Sequence, residues 1–133
     1  AMGSEAIILF PSVMDRFEEL QMRQKRGGHM APKRRYLAAQ FDAWLADDLW
    51  LDLAATANRQ ARRLAVGLAG VDGVEILHDV DGNEVFANIP ARTAESMRAG
   101  GVQFYQWPDG SARLVTSWCT QDAEISSALD AAR

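Results

Sequence analysis

The apolar positions follow a helical rhythm up to about residue 69 and a short, alternating, strand-like rhythm from residue 74 onward. Ahead of both stands Glu5 to Phe10, EAIILF, a brief apolar run closed by Pro11. Its flanks predict a strand buried on both faces, which requires parallel neighbours. No other strand precedes it, so the chain reads as a piece of something larger.

Ser12 is placed as an N-cap, and Val13, Met14, Phe17 and Leu20 give helical spacing up to Gly27 and Gly28. Pro32 suits the first position of a second helix, which would run through Tyr36, Leu37, Phe41, Trp44 and Leu45. Asp47 and Asp48 favour a further N-terminus. From there Leu49, Leu53, Ala57, Ala61, Leu64 and Leu68 recur at steps of three and four, as a helix with one apolar face requires. Gly70 and Gly73 end it.

From Val74 the elements shorten: VEILHDV, an Asp81-Gly82 turn, EVFANI, Pro90, a helix over about 91–99, VQFYQW, a Pro108-Asp109-Gly110 turn, ARLVTSW and a helix from about 121. Strand, strand, helix, strand, strand, helix predicts an α+β fold, a mainly antiparallel sheet covered by helices. No internal repeat or low-complexity segment interrupts it. Residues 1–47 group as a first region, and the long helix with the α+β segment, 48–133, as a second.

Composition narrows the picture without redirecting it. The 133 residues, 48% apolar and 24% charged, suit one modest domain with appended helices and exclude a disordered tail. A net charge of -4 gives no global reason to expect nucleic acid or an anionic membrane as partner. Cys119 is the only cysteine, so no intramolecular disulfide can form; with no apolar run of membrane-spanning length, a cytoplasmic setting is expected. The opening Ala-Met-Gly-Ser could be native or an expression scar.

The basic side chains are uneven. Arg23, Lys25, Arg26, Lys33, Arg34 and Arg35 crowd around Gly27, Gly28 and His29, and the only two lysines are among them. Glycines let backbone N–H groups approach an anion and neighbouring cations neutralise it, which points to phosphate or carboxylate binding. A solvated turn between two basic helices accounts for the same residues. Arg113 opens an otherwise apolar strand, with Val115 and Ser117 on its face and Leu114, Thr116 and Trp118 on the other. A guanidinium there needs a carboxylate ligand, a salt-bridge partner or a route to water. His29 and His78 lack a ligand cluster, so no metal site is expected. Cys119 reads as a packed or partly buried thiol, and Tyr36, Phe41, Trp44 and Trp50 as core or subunit interface.

Four segments together resemble the C-terminal part of the low-specificity L-threonine aldolases, within the β-eliminating lyases of the pyridoxal-phosphate-dependent, aspartate-aminotransferase-like enzymes. They are GSEAIILF, KRGGHMAPKRRYLAAQ leading to DDLWL, ARRLAVGLAGVDGVEIL followed by GNEVFANIP, and GVQFYQWPDGSARLVTSW. The resemblance implies the small domain of that fold, preceded by a strand and helices of the large domain. It implies pyridoxal 5'-phosphate as cofactor, and cleavage of threonine or another β-hydroxy-α-amino acid to glycine and an aldehyde.

By position, Arg113 matches the arginine that holds the substrate carboxylate. Lys25 matches a lysine near the cofactor phosphate, reached from a neighbouring subunit of a tetramer, and His29 and Lys33 flank the same turn. At Pro32-Lys33 the sequence departs from its relatives. The family's cofactor-bearing lysine falls just upstream of Ala1, so no catalytic residue is assigned within these residues and the chain alone is expected to be inactive. A dimer or tetramer containing the missing N-terminal half is the implied assembly. The alternatives are the small domain of a transaminase or desulfurase, and a non-enzymatic module that binds an anionic partner.

Overall fold

The computed structural model describes residues 5–30 and 32–133. Ala1, Met2, Gly3 and Ser4, whose origin was left open, fall outside that range, as does Ala31 in the basic turn. The chain forms two compact units, one up to Trp50 and one from Leu51 to Arg133.

In the first unit the expected strand over 5–10 is not formed. The segment makes no ladder, and Ile7, Ile8 and Phe10 are 78%, 77% and 69% exposed. A strand requires a neighbour to take its N–H and C=O groups, and no described segment pairs with this one. Nor does Ser12 cap the following helix. Phe10 and Pro11 begin a tight 3₁₀ segment, Pro11–Arg16, with the Val13 N–H donating to the Phe10 carbonyl at 2.9 Å. Val13 then leaves helical geometry at φ -130°, ψ 15°, and so helix α1 starts only at Phe17.

Helix α1, Phe17–Arg26, carries Glu18 and Glu19 in its first turn and Arg23, Lys25 and Arg26 in its last, matching the helix dipole at both ends. Arg23 donates to Glu19 Oε1 from Nε at 2.9 Å and from Nη2 at 2.6 Å, one helical turn apart. Helix α2, Arg35–Leu45, begins three residues later than Pro32 suggested, because Lys33 sits in the left-handed region at φ 62° and breaks the helical path. Phe41 meets Trp44 edge-on at 6.3 Å, and Trp44 meets Trp50 at the same separation.

Helix α3, Leu49–Leu68, follows the predicted periodicity from Ala57 on, where Ala57, Ala61, Leu64, Ala65 and Leu68 are buried, whereas Leu49 is exposed and Leu53 half-buried. From Leu51 on it belongs to the second unit. There β1, Glu75–Ile76, β2, Glu84–Asn88, β3, Tyr105–Gln106, and β4, Ser111–Val115, form one antiparallel sheet in the order β1-β2-β4-β3. Helices α4, Ala91–Ala99, and α5, Asp122–Ala132, complete the predicted α+β order.

Alternation along β2 and β4 divides the sheet cleanly. Val85, Ala87, Ala112 and Leu114 point into a core shared with Leu64 and Leu68 of α3, Met97 of α4 and Ile125 of α5. Each large apolar side chain removed from water there stabilises by about 1.5–3 kcal/mol. The other face carries Glu84, Phe86, Asn88, Arg113, Val115 and Tyr105, all half-buried or exposed. The outer strands β1 and β3 pair over two residues each, less than the apolar runs suggested, which leaves little open edge.

The end of β4 is pinned to α3. Buried Thr116 donates its hydroxyl to the Ala57 carbonyl at 2.8 Å, and its N–H to the Asn83 carbonyl at 3.0 Å. Asn83 Nδ2 returns a bond to the Thr116 carbonyl at 2.8 Å. Helix α5 starts with a capping box, in which Gln121 N–H donates to Glu124 Oε2 at 2.7 Å.

Candidate functional site

Arg113 lies at the centre of the outer sheet face. β4 is an inner strand, and the register sets Arg113 opposite Phe86 on β2 and opposite Tyr105 on β3. The predicted alternation therefore holds from Ala112 to Thr116, with Leu114 and Thr116 inward and Arg113 and Val115 outward. It fails at Trp118, which was placed on the inner face and is 62% exposed. The chain leaves the ladder after Val115 and turns, with Thr120 N–H donating to the Ser117 carbonyl at 3.1 Å, so strand periodicity no longer applies.

Aromatic rings frame the arginine. Phe86 lies nearly parallel to Trp107 at 6.4 Å, Trp107 meets Tyr105 edge-on at 4.7 Å, and His78 meets Phe86 edge-on at 5.7 Å. Among the described residues the guanidinium makes no hydrogen bond; its ion pair is with Glu84, Nη1 to Oε1, at 3.8 Å. That exceeds hydrogen-bond length, so its donor fork is unspent and faces a partly apolar surface. A small carboxylate matches such a fork with two parallel bonds.

Neither Glu84 nor the aromatic frame was singled out from sequence. The EVFAN alternation does put Glu84 and Phe86 on one face of their strand. What it lacks is the strand order that sets β2 beside β4, and hence Glu84 diagonal to Arg113.

The basic turn belongs to the first unit. Gly27 N–H donates to the Arg23 carbonyl at 2.8 Å, Gly28 N–H to Lys25 at 3.2 Å and His29 N–H to Gln24 at 3.0 Å. With Gly28 at φ 74°, this is a Schellman ending of α1. The glycine pair thus serves the helix terminus, and its amides are spent there. A side chain on Gly27 would also collide with the His29 ring, its Cβ 2.9 Å from Cδ2.

The side chains of Lys25, His29 and Lys33 are exposed and make no hydrogen bond or ion pair with other described residues. Lys25 lies in the last turn of α1, His29 just beyond the cap, and Lys33 in the turn before α2. Any hold on a phosphate would come from these side chains. Arg113 stands in the other unit.

The remaining chemistry-bearing groups have structural surroundings. Cys119, read from sequence as packed or partly buried, is exposed, with its Sγ 3.0 Å from Ser117 Oγ. Asp122 accepts from Gln60 Nε2 at 2.7 Å and pairs with Arg63 at 2.8 Å. The Gln60 bond first, then the Arg63 charge, holds the Asp122 carboxyl below its ordinary value of 3.8. Among the described residues no group of three or more His, Cys, Asp or Glu could hold a metal ion, and no helix is long and apolar enough to cross a membrane.

The sequence is 39% identical over 130 residues, 97% of the chain, to a low specificity L-threonine aldolase of Pseudomonas aeruginosa, and covers 36% of that protein. A second low specificity L-threonine aldolase, from a Pseudomonas species, is 35% identical across 91% of the chain and is covered over 35% of its own length. The chain thus spans about a third of the length of the curated relatives it matches. In fold it is similar to a solved threonine aldolase of Leishmania major, with a TM-score of 0.61 at 22% identity, over 77% of this chain and 35% of the other. No family model matches the chain.

Proposed function

We propose, for a chain related along nearly its whole length to the low specificity L-threonine aldolases, that it is the C-terminal part of a pyridoxal-phosphate-dependent enzyme cleaving threonine, or another β-hydroxy-α-amino acid, to glycine and an aldehyde. The observation that carries this reading is Arg113: a half-exposed guanidinium on the outer sheet face, framed by aromatic rings, whose ion pair among the described residues is too long to occupy its donors.

Its role is to fix the substrate carboxylate. Two parallel charged hydrogen bonds set the carboxylate's plane as well as its position, and thereby the direction of the Cα–Cβ bond to be broken. Phe86 and Tyr105 beside it reduce the competition of water for that carboxylate. The cofactor, when bound, supplies the electron sink that accepts the bonding pair of the cleaved bond. In this chain Lys25, with His29 and Lys33 beside it, would neutralise the cofactor phosphate through side chains alone, since the amides of the glycine turn are committed. The lysine that carries the cofactor belongs to polypeptide beyond these residues, and the site is completed in a cytoplasmic homo-oligomer. The 133 residues alone have no aldolase activity.

The test is to purify the complete polypeptide with pyridoxal 5'-phosphate and assay threonine. A bound-pyridoxal absorbance together with acetaldehyde and glycine release is the expected result. A folded, cofactor-loaded protein that releases no aldehyde from threonine or a related β-hydroxy amino acid, or that requires an oxo-acid acceptor to turn over, overturns the proposal.

A further inference from the structure

Glu84 bears on how Arg113 works. β2 and β4 pair with Glu84 opposite Val115 and Phe86 opposite Arg113, so Glu84 is the diagonal neighbour of Arg113 on the outer face. Diagonal cross-strand neighbours lie within reach of long side chains. The carboxylate and the guanidinium meet at 3.8 Å with both side chains nearly half exposed, 41% and 44%. Glu75, also on this face, is engaged elsewhere, accepting from Asn88 Nδ2 at 3.1 Å. Among the described residues Glu84 is therefore the acid that Arg113 answers to.

We propose that Glu84 is a positioning residue: a resident counter-ion that keeps the Arg113 guanidinium on the sheet face and yields it to an incoming carboxylate. This rests on the reading of Arg113 as a carboxylate holder. The separation makes the exchange possible. A carboxylate making two bonds at about 2.8 Å displaces one held at ion-pair distance, because charged hydrogen bonds are stronger than loose pairing across solvent. Glu84 thus competes with the ligand. Its charge lowers the affinity of the site for carboxylates while keeping the arginine from turning away.

The experiment uses the full 133-residue chain at low salt, where surface charges are least screened. Acetate is titrated in while the Nε–Hε resonances of the arginines are followed by NMR, for the parent chain and for Glu84→Gln and Glu84→Asp. The expected result is an Arg113 shift that saturates at roughly two- to fivefold lower acetate in Glu84→Gln, the range set by a solvent-exposed ion pair. Glu84→Asp, which retains the charge, stays near the parent, and exposed Arg62 and Arg92 respond equally in all three.

Faster rotation of the Arg113 guanidinium in Glu84→Gln without acetate is the second expected sign, one that a purely structural role on the strand would not produce. If acetate moves Arg113 at the same concentration in parent and Glu84→Gln, the counter-ion role is wrong while Arg113 remains a carboxylate holder. If acetate moves Arg113 no more than Arg62 and Arg92 in any variant, the carboxylate reading of Arg113 falls and the role of Glu84 with it.

Discussion

Gly67→Ala is the substitution whose outcome the packing of the second unit determines most sharply. Gly67 lies near the C-terminal end of α3, and a Cβ built there would stand 2.3 Å and 2.5 Å from the two methyls of Leu129 on α5 and 3.0 Å from its Cγ. Helix propensity alone favours alanine by about 1 kcal/mol in a helix interior. Overpacking opposes it by about 1–3 kcal/mol. The clash falls on the methyls at the far end of the half-buried Leu129 side chain, and its Cγ at 3.0 Å need give by only a few tenths of an ångström, so the cost is that of moving Leu129 out of its rotamer.

The net expectation is a loss of up to about 2 kcal/mol, read from urea unfolding by circular dichroism together with hydrogen exchange of the α3 and α5 amides. In a Leu129→Ala background the obstruction is gone. There the same Gly67→Ala change raises stability by up to about 1 kcal/mol, a coupling of about 1–3 kcal/mol between the two positions. Equal effects of Gly67→Ala in the two backgrounds, or a gain in the parent, would refute the claimed contact.

Two further outcomes follow from polar contacts of the same unit. Thr116→Val keeps the shape of the side chain but removes the buried hydroxyl that reaches the Ala57 carbonyl, so unfolding in urea should show a loss of about 1–2 kcal/mol. A β4 end whose amides exchange at the parent rate would speak against the clamp. Asp122 titrates below its ordinary value of 3.8 because Gln60 and Arg63 favour its charged form; the stabilisation is thus present above that value and lost as pH falls through the lowered folded-state pKa. The urea midpoint should drop between pH 5 and the acid limit by less in Asp122→Asn than in the parent, and identical drops would remove Asp122 from the account.

The second unit was largely legible in the sequence because its signals are local. The three- and four-residue steps from Leu49 to Leu68, the alternation of EVFAN and ARLV, and the Gly and Pro punctuation each follow from what a single helix, strand or turn requires. α3, α4 and α5 and the four strands form within the segments those signals mark, although β1 and β3 pair over only two residues each. The first unit was less legible. The apolar content of EAIILF indicates burial, but a strand exists only through its partner, and none of the described residues supplies one. Lys33 at φ 62° displaced the start of α2, an effect that no residue preference for lysine announces.

At the candidate site, Arg113 stood out as a guanidinium in an apolar strand. Its surroundings did not, since Glu84, Phe86 and Tyr105 come from strands distant in sequence, and only the order β1-β2-β4-β3 assembles them. The glycine turn shows the reverse situation. Its residues are compatible with an anion site and with a helix ending, and the hydrogen bonds of Gly27, Gly28 and His29 show that the helix ending uses their amides.

The role of Arg113 is tested most directly by changing the carboxylate and the arginine together. In the complete polypeptide, kcat/KM for aldehyde release is measured with threonine and with threonine amide, for the parent and for Arg113→Ala. Removing the guanidinium is expected to cost threonine about 10- to 100-fold, the value of one charged hydrogen-bonding group, and to leave the amide nearly unaffected. Equal losses for the two substrates would show that Arg113 does not hold the carboxylate.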